Sequence, residues 1–322
     1  MLQLRLFALL ILTLQGTCQV LNAIREEPIL FSSSSIPSLG CCNVLRKKEN
    51  NRYSSSGKSR ELMSCVNESL AMCTSEMKSL AIVGYYTESI LEYAAYSSAV
   101  NTIYAQHHGY HIRHLTASDG AEYFPQDQRW NKVKILLDAL HPQHGWAKDF
   151  DYLVWLDSDL IILDLGLDII AIAEKYPQSD IILCADKDIS VGIANTGFMV
   201  VRNTDFMLDF LSSWWNDYDK ATAMDQYAFT KLYQREKKLR PLSPSELAQY
   251  DRDVNMSPYS TKRIAILRAD ALNSNFPSWL RQVDHNQVLH LAGANKEMRQ
   301  KAFHLGLTNI CDHVHGEHEE VG

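Results

Sequence analysis

From Leu80 onward, apolar segments of strand length alternate with helical stretches. Leu80-Ala-Ile-Val-Gly84 reads as a buried strand, Ser89 to His107 as a helix, and Tyr110 to Leu115 as a second strand entered after Gly109. In Asn131 to Leu140 the apolar residues Val133, Leu136, Leu137 and Leu140 recur at helical spacing, and Pro142 stops the run. Asp151 to Leu156 and Ile181 to Ala185 read as strands, with Gly166 to Tyr176 as the helix between them, and Phe198 to Val201 as a further strand. Strand followed by helix, repeated, predicts an α/β fold with a mainly parallel central sheet flanked by helices. Ligands of such open sheets bind beyond the carboxyl ends of the strands, which locates the search for chemistry. There is no internal repeat.

The segment before Leu80 is patterned differently. Gln19 to Lys78 holds a serine run (Ser32 to Ser35), the basic stretch Arg46-Lys-Lys48 and Ser54-Ser-Ser-Gly-Lys-Ser59, with little apolar periodicity. That composition predicts a stem or linker of low order over 19–78, ahead of a catalytic-size domain over 79–312 and a His-rich acidic tail over 313–322. At the N-terminus, Leu6 to Leu14 is an almost unbroken apolar run followed by Gln15-Gly-Thr-Cys18. It is shorter than the roughly 20 residues a spanning helix needs, so residues 1–18 read as a cleaved signal peptide, with an uncleaved signal anchor in the membrane as the alternative.

With 322 residues, 46% apolar and 21% charged, the chain is long enough to bury a sizeable core. A net charge of −7 excludes a protein built to track nucleic-acid backbones, while leaving room for a local basic pocket that takes one diphosphate. If Cys18 leaves with the signal, Cys41, Cys42, Cys65, Cys73, Cys184 and Cys311 remain, an even set suited to disulfides in an oxidising lumen, with pairings the sequence does not choose among. Cys184, inside the apolar run Ile181-Ile-Leu-Cys-Ala185, reads as a buried thiol. Asn67-Glu-Ser and Asn255-Met-Ser are glycosylation sequons if the chain is lumenal.

The sharpest chemical feature is Trp155-Leu-Asp-Ser-Asp159. A buried strand, Tyr152 to Leu156, runs directly into two carboxylates one residue apart, where the strand opens into a loop. Two like charges aimed at one point call for a hard cation such as Mg²⁺, Mn²⁺ or Ca²⁺; the alternative is a solvated turn. Near the C-terminus, His290-Leu-Ala-Gly-Ala-Asn-Lys296 offers an imidazole to complete such a shell, a glycine that lets backbone approach a phosphate, and a cation for a diphosphate. A strand-end histidine of the core is the competing reading of His290. Asn195-Thr-Gly197 and Asp225-Gln226 are each accounted for by a turn residue and a helix N-cap.

Taken together these patches resemble one family. Asn101-Thr-Ile-Tyr-Ala-Gln-His-His-Gly-Tyr110, Arg129-Trp-Asn-Lys-Val-Lys-Ile-Leu-Leu137, Asp157-Ser-Asp159, Asn195-Thr-Gly197, Asp225-Gln226 and His290-Leu-Ala-Gly293 stand in the order seen in glycosyltransferase family 34, over roughly Leu80 to Lys296. That family holds fungal galactosyl- and mannosyltransferases and plant xylosyltransferases. The resemblance implies a GT-A (nucleotide-diphospho-sugar transferase) fold, transfer with retention of configuration, and a secretory-pathway location in the Golgi or ER lumen. It further implies that Asp157, Asp159 and His290 bind Mn²⁺, or Mg²⁺. Lys132, Ser158, Gly293 and Lys296 would lie by the donor, and Asn195, Asp225 and Gln226 by the transferred sugar. The gap from Gly293 to Lys296 looks more like family 8 enzymes, and a short His-rich end (His304, His313, His315, His318) replaces the longer aromatic C-terminus of many plant members.

The donor implied is UDP-galactose, UDP-xylose or GDP-mannose, and the acceptor a glycan hydroxyl. Asp225 is the matched carboxylate for a double displacement, and a same-face route in which the departing phosphate accepts the proton is the alternative that the neighbouring amide Gln226 favours. Two other readings use the same residues: a lumenal nucleotide-sugar or glycan-binding protein without turnover, and a hydrolase with water as acceptor. Tyr85 and Tyr86 are candidates for stacking on the nucleobase, and Trp214 and Trp215 for an acceptor groove; core packing is the alternative for both pairs.

Overall fold

The computed structural model describes residues 41–42, 44, 55–72, 80–116, 127–186, 192–217, 224–235, 240–247, 256–269, 271–272 and 288–319. The expected signal segment 1–18, the serine run, the basic stretch 46–48, Cys73 and the Asn255 sequon lie outside the described residues.

In chain order the elements are α1 (Ser55–Met72), β1 (Leu80–Tyr86), α2 (Leu91–His108), β2 (His111–Thr116), α3 (Asn131–Leu140), β3 (Tyr152–Leu156), β4 (Leu160–Ile162) and α4 (Ile169–Lys175). Then follow β5 (Ile181–Cys184), β6 (Asn195–Arg202), α5 (Asp205–Asn216), α6 (Asp225–Arg235), α7 (Pro244–Leu247), β7 (Ile264–Leu267), β8 (Val288–His290) and α8 (Lys296–Glu319). Local chemistry sets several of these boundaries. Asp168 caps α4 by accepting from the Ala171 N–H at 3.0 Å, and Gly109, at φ 69°, ends α2 in the left-handed conformation that glycine adopts without strain.

A six-stranded sheet runs β2-β1-β3-β6-β5-β7, and a two-stranded sheet pairs β4 with β8. The pairings β1–β2, β1–β3 and β5–β7 are parallel, whereas β6 runs antiparallel to both β3 and β5. The sheet is thus mainly parallel, as the pattern predicted, with one reversed strand. Residues 185–194 between β5 and β6 are too few for the helical crossover that a parallel return requires.

Both faces of the sheet are covered, so alternate residues of each strand enter different cores. Leu80 and Ile82 of β1 and Val154 and Leu156 of β3 face a cluster shared with α2 and α8. Ala81, Val83, Leu153 and Trp155 face one shared with α3, α5 and α6. Trp214 is fully buried in the second, edge-on to Phe229 at 5.2 Å, which is the packing reading of that residue rather than a groove. Cys184 is buried and takes part in neither disulfide.

The expectation of low order from residue 19 to 78 is corrected for part of that stretch. Cys41 is bonded to Cys65 on α1 and Cys42 to Cys311 on α8, and Leu62 and Val66 of α1 are fully buried in the α2-side cluster. α8 runs on from the expected domain into the His-rich acidic segment, as far as Glu319. Phe303, Leu307 and Ile310 give it a buried face, and Gly306 lets it approach β4 so closely that a Cβ there would stand 2.7 Å from Ile161 Cδ1. Among the described residues no helix is long and apolar enough to cross a membrane.

Candidate metal and donor site

The site forms where β3 ends. Asp157 N–H donates to the Gly197 carbonyl at 2.8 Å and Leu160 N–H to the Asp157 carbonyl at 3.0 Å, so the chain turns within Asp157-Ser-Asp159 and re-enters as β4. The Ser158 hydroxyl donates to the Tyr85 carbonyl, pinning the turn to the end of β1. From below, α2 fixes β4: Ser97 and Asn101 side chains donate to the Leu160 carbonyl at 2.7 and 3.0 Å, and the Ile162 N–H donates to Asn101 Oδ1 at 3.0 Å.

The pairing of β4 with β8 sets His290 opposite Leu160, and the Leu291 N–H closes on the Asp159 carbonyl at 2.9 Å. His290 Nε2 thereby stands 3.2 Å from Asp159 Oδ1. One ligand atom from each of Asp157, Asp159 and His290 lies within 4.8 Å of the others, so the sequence-predicted trio is brought together across a separation of 131 residues. The His290 ring occupies space that only a glycine leaves open. A Cβ on Gly197 would lie 2.2 Å from its Cε1, which gives Asn195-Thr-Gly197 a reason other than a turn.

Lys132, on α3, is buried with its Nζ 2.9 Å from Asp157 Oδ1 and 3.2 Å from Asp225 Oδ2. Burial pushes its pKa down, but the two carboxylates outweigh that and hold it above the ordinary lysine value. Asp225 is the first residue of α6 as expected, with its carboxylate turned inward to Lys132 and to the Thr196 hydroxyl at 2.7 Å. Asn195 Nδ2 and Gln226 Nε2 converge on Asp186 Oδ2 at 3.2 and 2.7 Å. Asp186 escaped the sequence reading although it follows the end of β5 just as Asp157 follows β3.

Burial raises the pKa of Asp159, but His290 and Arg299 more than reverse this and leave it low; burial lowers that of His290, and Asp159 more than reverses it. Arg299 Nη2, also unforeseen, meets Asp159 Oδ2 at 2.7 Å. Lys296 donates to the Ser89 carbonyl at 2.6 Å on the exposed side of the loop. Gly293 has φ 76°, with open space where a Cβ would stand.

The candidate site residues apart from Asp186 and Lys296 line a cleft of about 560 Å³ that also includes Tyr85, Gln128, Arg129 and Ala292. Tyr85 is itself buried, its hydroxyl 2.7 Å from Gln128 Oε1, so packing accounts for most of its ring. Three carboxylates of the lining (Asp157, Asp159, Asp225) meet the cations Lys132, Arg129 and Arg299, and oxygens of Asp157 and Asp159 lie within 4.8 Å of a His290 ring nitrogen, where a divalent ion could be held. Two carboxylates and an imidazole could coordinate a divalent metal, a donor set consistent with Mn²⁺ and not specific to it.

No profile of a known protein family matches the chain, and no curated protein matches it in sequence. The fold does match solved structures. A glycosyltransferase involved in glycosylation of the major capsid of PBCV-1 superposes with a TM-score of 0.51 at 14% identity, over 70% of this chain and 99% of that one. The bifunctional glycosyltransferase WbbM (TM-score 0.41, 10% identity, 80% of this chain and 60% of that one) also matches. So does GlyE of Streptococcus pneumoniae, at 0.37 and 14%, over 74% and 64%. The first of these shows a GT-A-like α/β fold with a mixed central sheet, the architecture of nucleotide-sugar transferases.

Proposed function

We propose that this chain is a metal-dependent glycosyltransferase that moves a hexosyl or pentosyl group from a nucleotide-diphosphate sugar to a glycan hydroxyl, with retention, in the manner of family 34. The observation that carries the proposal is the convergence of Asp157, Asp159 and His290 at the strand ends of a GT-A-like sheet. Mn²⁺ or Mg²⁺ held there supplies Lewis-acid charge to the leaving diphosphate. UDP-galactose, UDP-xylose and GDP-mannose are the donors in view.

Asp225 is a poor nucleophile in this setting, because its carboxylate is buried and engaged by the Lys132 ammonium and the Thr196 hydroxyl. That favours same-face transfer. The bond from the anomeric carbon to the phosphate oxygen breaks with its electron pair going to the diphosphate, the acceptor oxygen bonds to the carbon from the same side, and its proton passes to the departing phosphate. In this scheme Asn195 and Gln226, oriented by Asp186, hold the sugar. A secretory-pathway lumen fits the two disulfides, which need an oxidising compartment to form.

The experiment is a thermal-shift screen of the whole chain against UDP, GDP and their sugars with and without Mn²⁺, followed by transfer assays with the donor that binds. A metal-dependent shift with one nucleotide supports the donor site and names its base. Absence of any shift in a folded sample would sink the proposal.

A further inference from the structure

Arg299 figures in none of the motifs, yet its guanidinium lies on the wall of the cleft, with a side chain 16% exposed; the other guanidinium of that lining, Arg129, is held by both oxygens of Asp127 at 2.9 and 2.8 Å. It lies on α8 one turn beyond Lys296. Its Nε donates to the Leu291 carbonyl at 3.1 Å, Nη1 to the Tyr93 hydroxyl at 3.1 Å, and Nη2 meets Asp159 Oδ2 at 2.7 Å. The Tyr93 ring is 5.1 Å from its Cζ. A guanidinium carries five N–H groups, so these contacts among the described residues fix its plane without exhausting its donors.

We propose that Arg299 is the cation that receives the donor's diphosphate, the part that motif spacing assigns to Lys296; this rests on the nucleotide-sugar reading above. Lys132 is enclosed between Asp157 and Asp225, and Lys296, which does not itself line the cleft, is engaged by the carbonyl of Ser89 at the cleft edge. Without Arg299 the cleft would meet an incoming polyanion with carboxylates alone on the Asp159 side. A planar fork held from three directions is already oriented for two-point binding to phosphate oxygens, which a flexible ammonium is not. Beside it, Gly293 leaves the backbone open to close approach.

The geometry gives this role a signature. Asp159 presents Oδ1 to His290 and Oδ2 to Arg299, so Arg299 and a metal ion held by the trio would share one carboxylate. Removing the guanidinium takes a competing cation from Asp159 and an anchor from the diphosphate, and the two ligands respond in opposite directions. A mere prop for Asp159 would weaken both together.

The test is titration calorimetry on the full chain: Mn²⁺ alone, then inorganic pyrophosphate, UDP and GDP at saturating Mn²⁺, for wild type, Arg299→Gln, Arg299→Lys and Lys296→Ala. Arg299→Gln is expected to bind Mn²⁺ at least as tightly as wild type while pyrophosphate and the preferred nucleotide bind about tenfold or more weakly, the worth of one charge-assisted hydrogen bond. Arg299→Lys should recover part of the loss, and it carries the comparison if the glutamine variant fails to fold. Unchanged pyrophosphate affinity, a parallel loss of Mn²⁺ and pyrophosphate, or a larger loss from Lys296→Ala each overturns the assignment. A wild-type chain that binds none of the diphosphates instead refutes the donor-site reading, and this inference falls with it.

Discussion

Gly197→Ala isolates the steric reason for one glycine in the site. Gly197 lies within β6 at an ordinary negative φ, so alanine fits the backbone, and stiffening the unfolded chain would by itself stabilise the protein by about 0.4–1 kcal/mol. Against this, the new Cβ would stand 2.2 Å from His290 Cε1, 2.8 Å from Nε2 and 2.9 Å from Nδ1. Carbon contacts settle near 3.5 Å, so the ring must retreat by about 1.3 Å. The backbone of His290 cannot follow easily, because β8 is tied to β4 and Leu291 N–H to the Asp159 carbonyl at 2.9 Å. The side chain must rotate, and metal–ligand bonds tolerate only about 0.2 Å. We expect Gly197→Ala to lower Mn²⁺ affinity by about 10–100-fold, the range seen when a ligand loses its support, and stability by about 1–3 kcal/mol through overpacking. Both are measurable, by calorimetry with Mn²⁺ and by urea unfolding. In a His290→Ala background the overpacking cost should vanish, giving a coupling of about 0.5–3 kcal/mol. Wild-type Mn²⁺ affinity in Gly197→Ala, or the same stability cost with and without the imidazole, refutes the reasoning.

Asp157→Asn should abolish Mn²⁺-dependent donor binding while the chain stays folded, as read by thermal shift with and without the metal; full binding in the variant removes the metal from the argument. His114, 3.0 Å from the Thr102 hydroxyl, is pushed down to about 4 by burial. Its folded pKa therefore lies below the ordinary value of about 6.5, and the unfolded chain takes the proton first, so the contribution is complete above about pH 6.5 and is lost, by about 3 kcal/mol, as pH falls towards 4. His114→Asn should flatten urea-unfolding stability across that window, and an unaltered slope would count against it. Replacing Cys42 and Cys311 with alanine opens a link spanning 269 residues and should cost about 2–5 kcal/mol, checked by the denaturation midpoint of the oxidised proteins.

What the chain declares locally and what it does not follow from how each element is held. β1, α3 and β3 were legible because periodicity and stop residues lie within a dozen positions, and α3 begins and ends where the pattern placed it. Leu137, counted on its buried face, is only half-buried, while Lys132 is withdrawn into the interior to meet Asp157 and Asp225. α1 was illegible because Leu62, Met63 and Val66 are too few to announce an amphipathic helix. Its place is fixed by Cys65 and by packing on α2, and neither is visible in composition.

The same division runs through the site. The half proposed to hold a metal is written in strand ends: Asp157 and Asp159 follow β3 and His290 closes β8, while Asp186, overlooked beside the site, lies just past the end of β5. The half proposed to bind the anion has no such address. Arg299 faces the cleft because α8 packs on α2, where Phe303 meets Tyr93 edge-on at 6.4 Å, and lies against Ile161 of β4 at Gly306, turning one helical face towards Tyr93 and Asp159. A strand end points wherever its sheet dictates, so a carboxylate there can be read from one segment. A helical cation takes its direction from a partner surface, here 140 residues earlier in the chain at Asp159, and no window of sequence contains both. That is why the motif spacing pointed to Lys296 and the packing to Arg299.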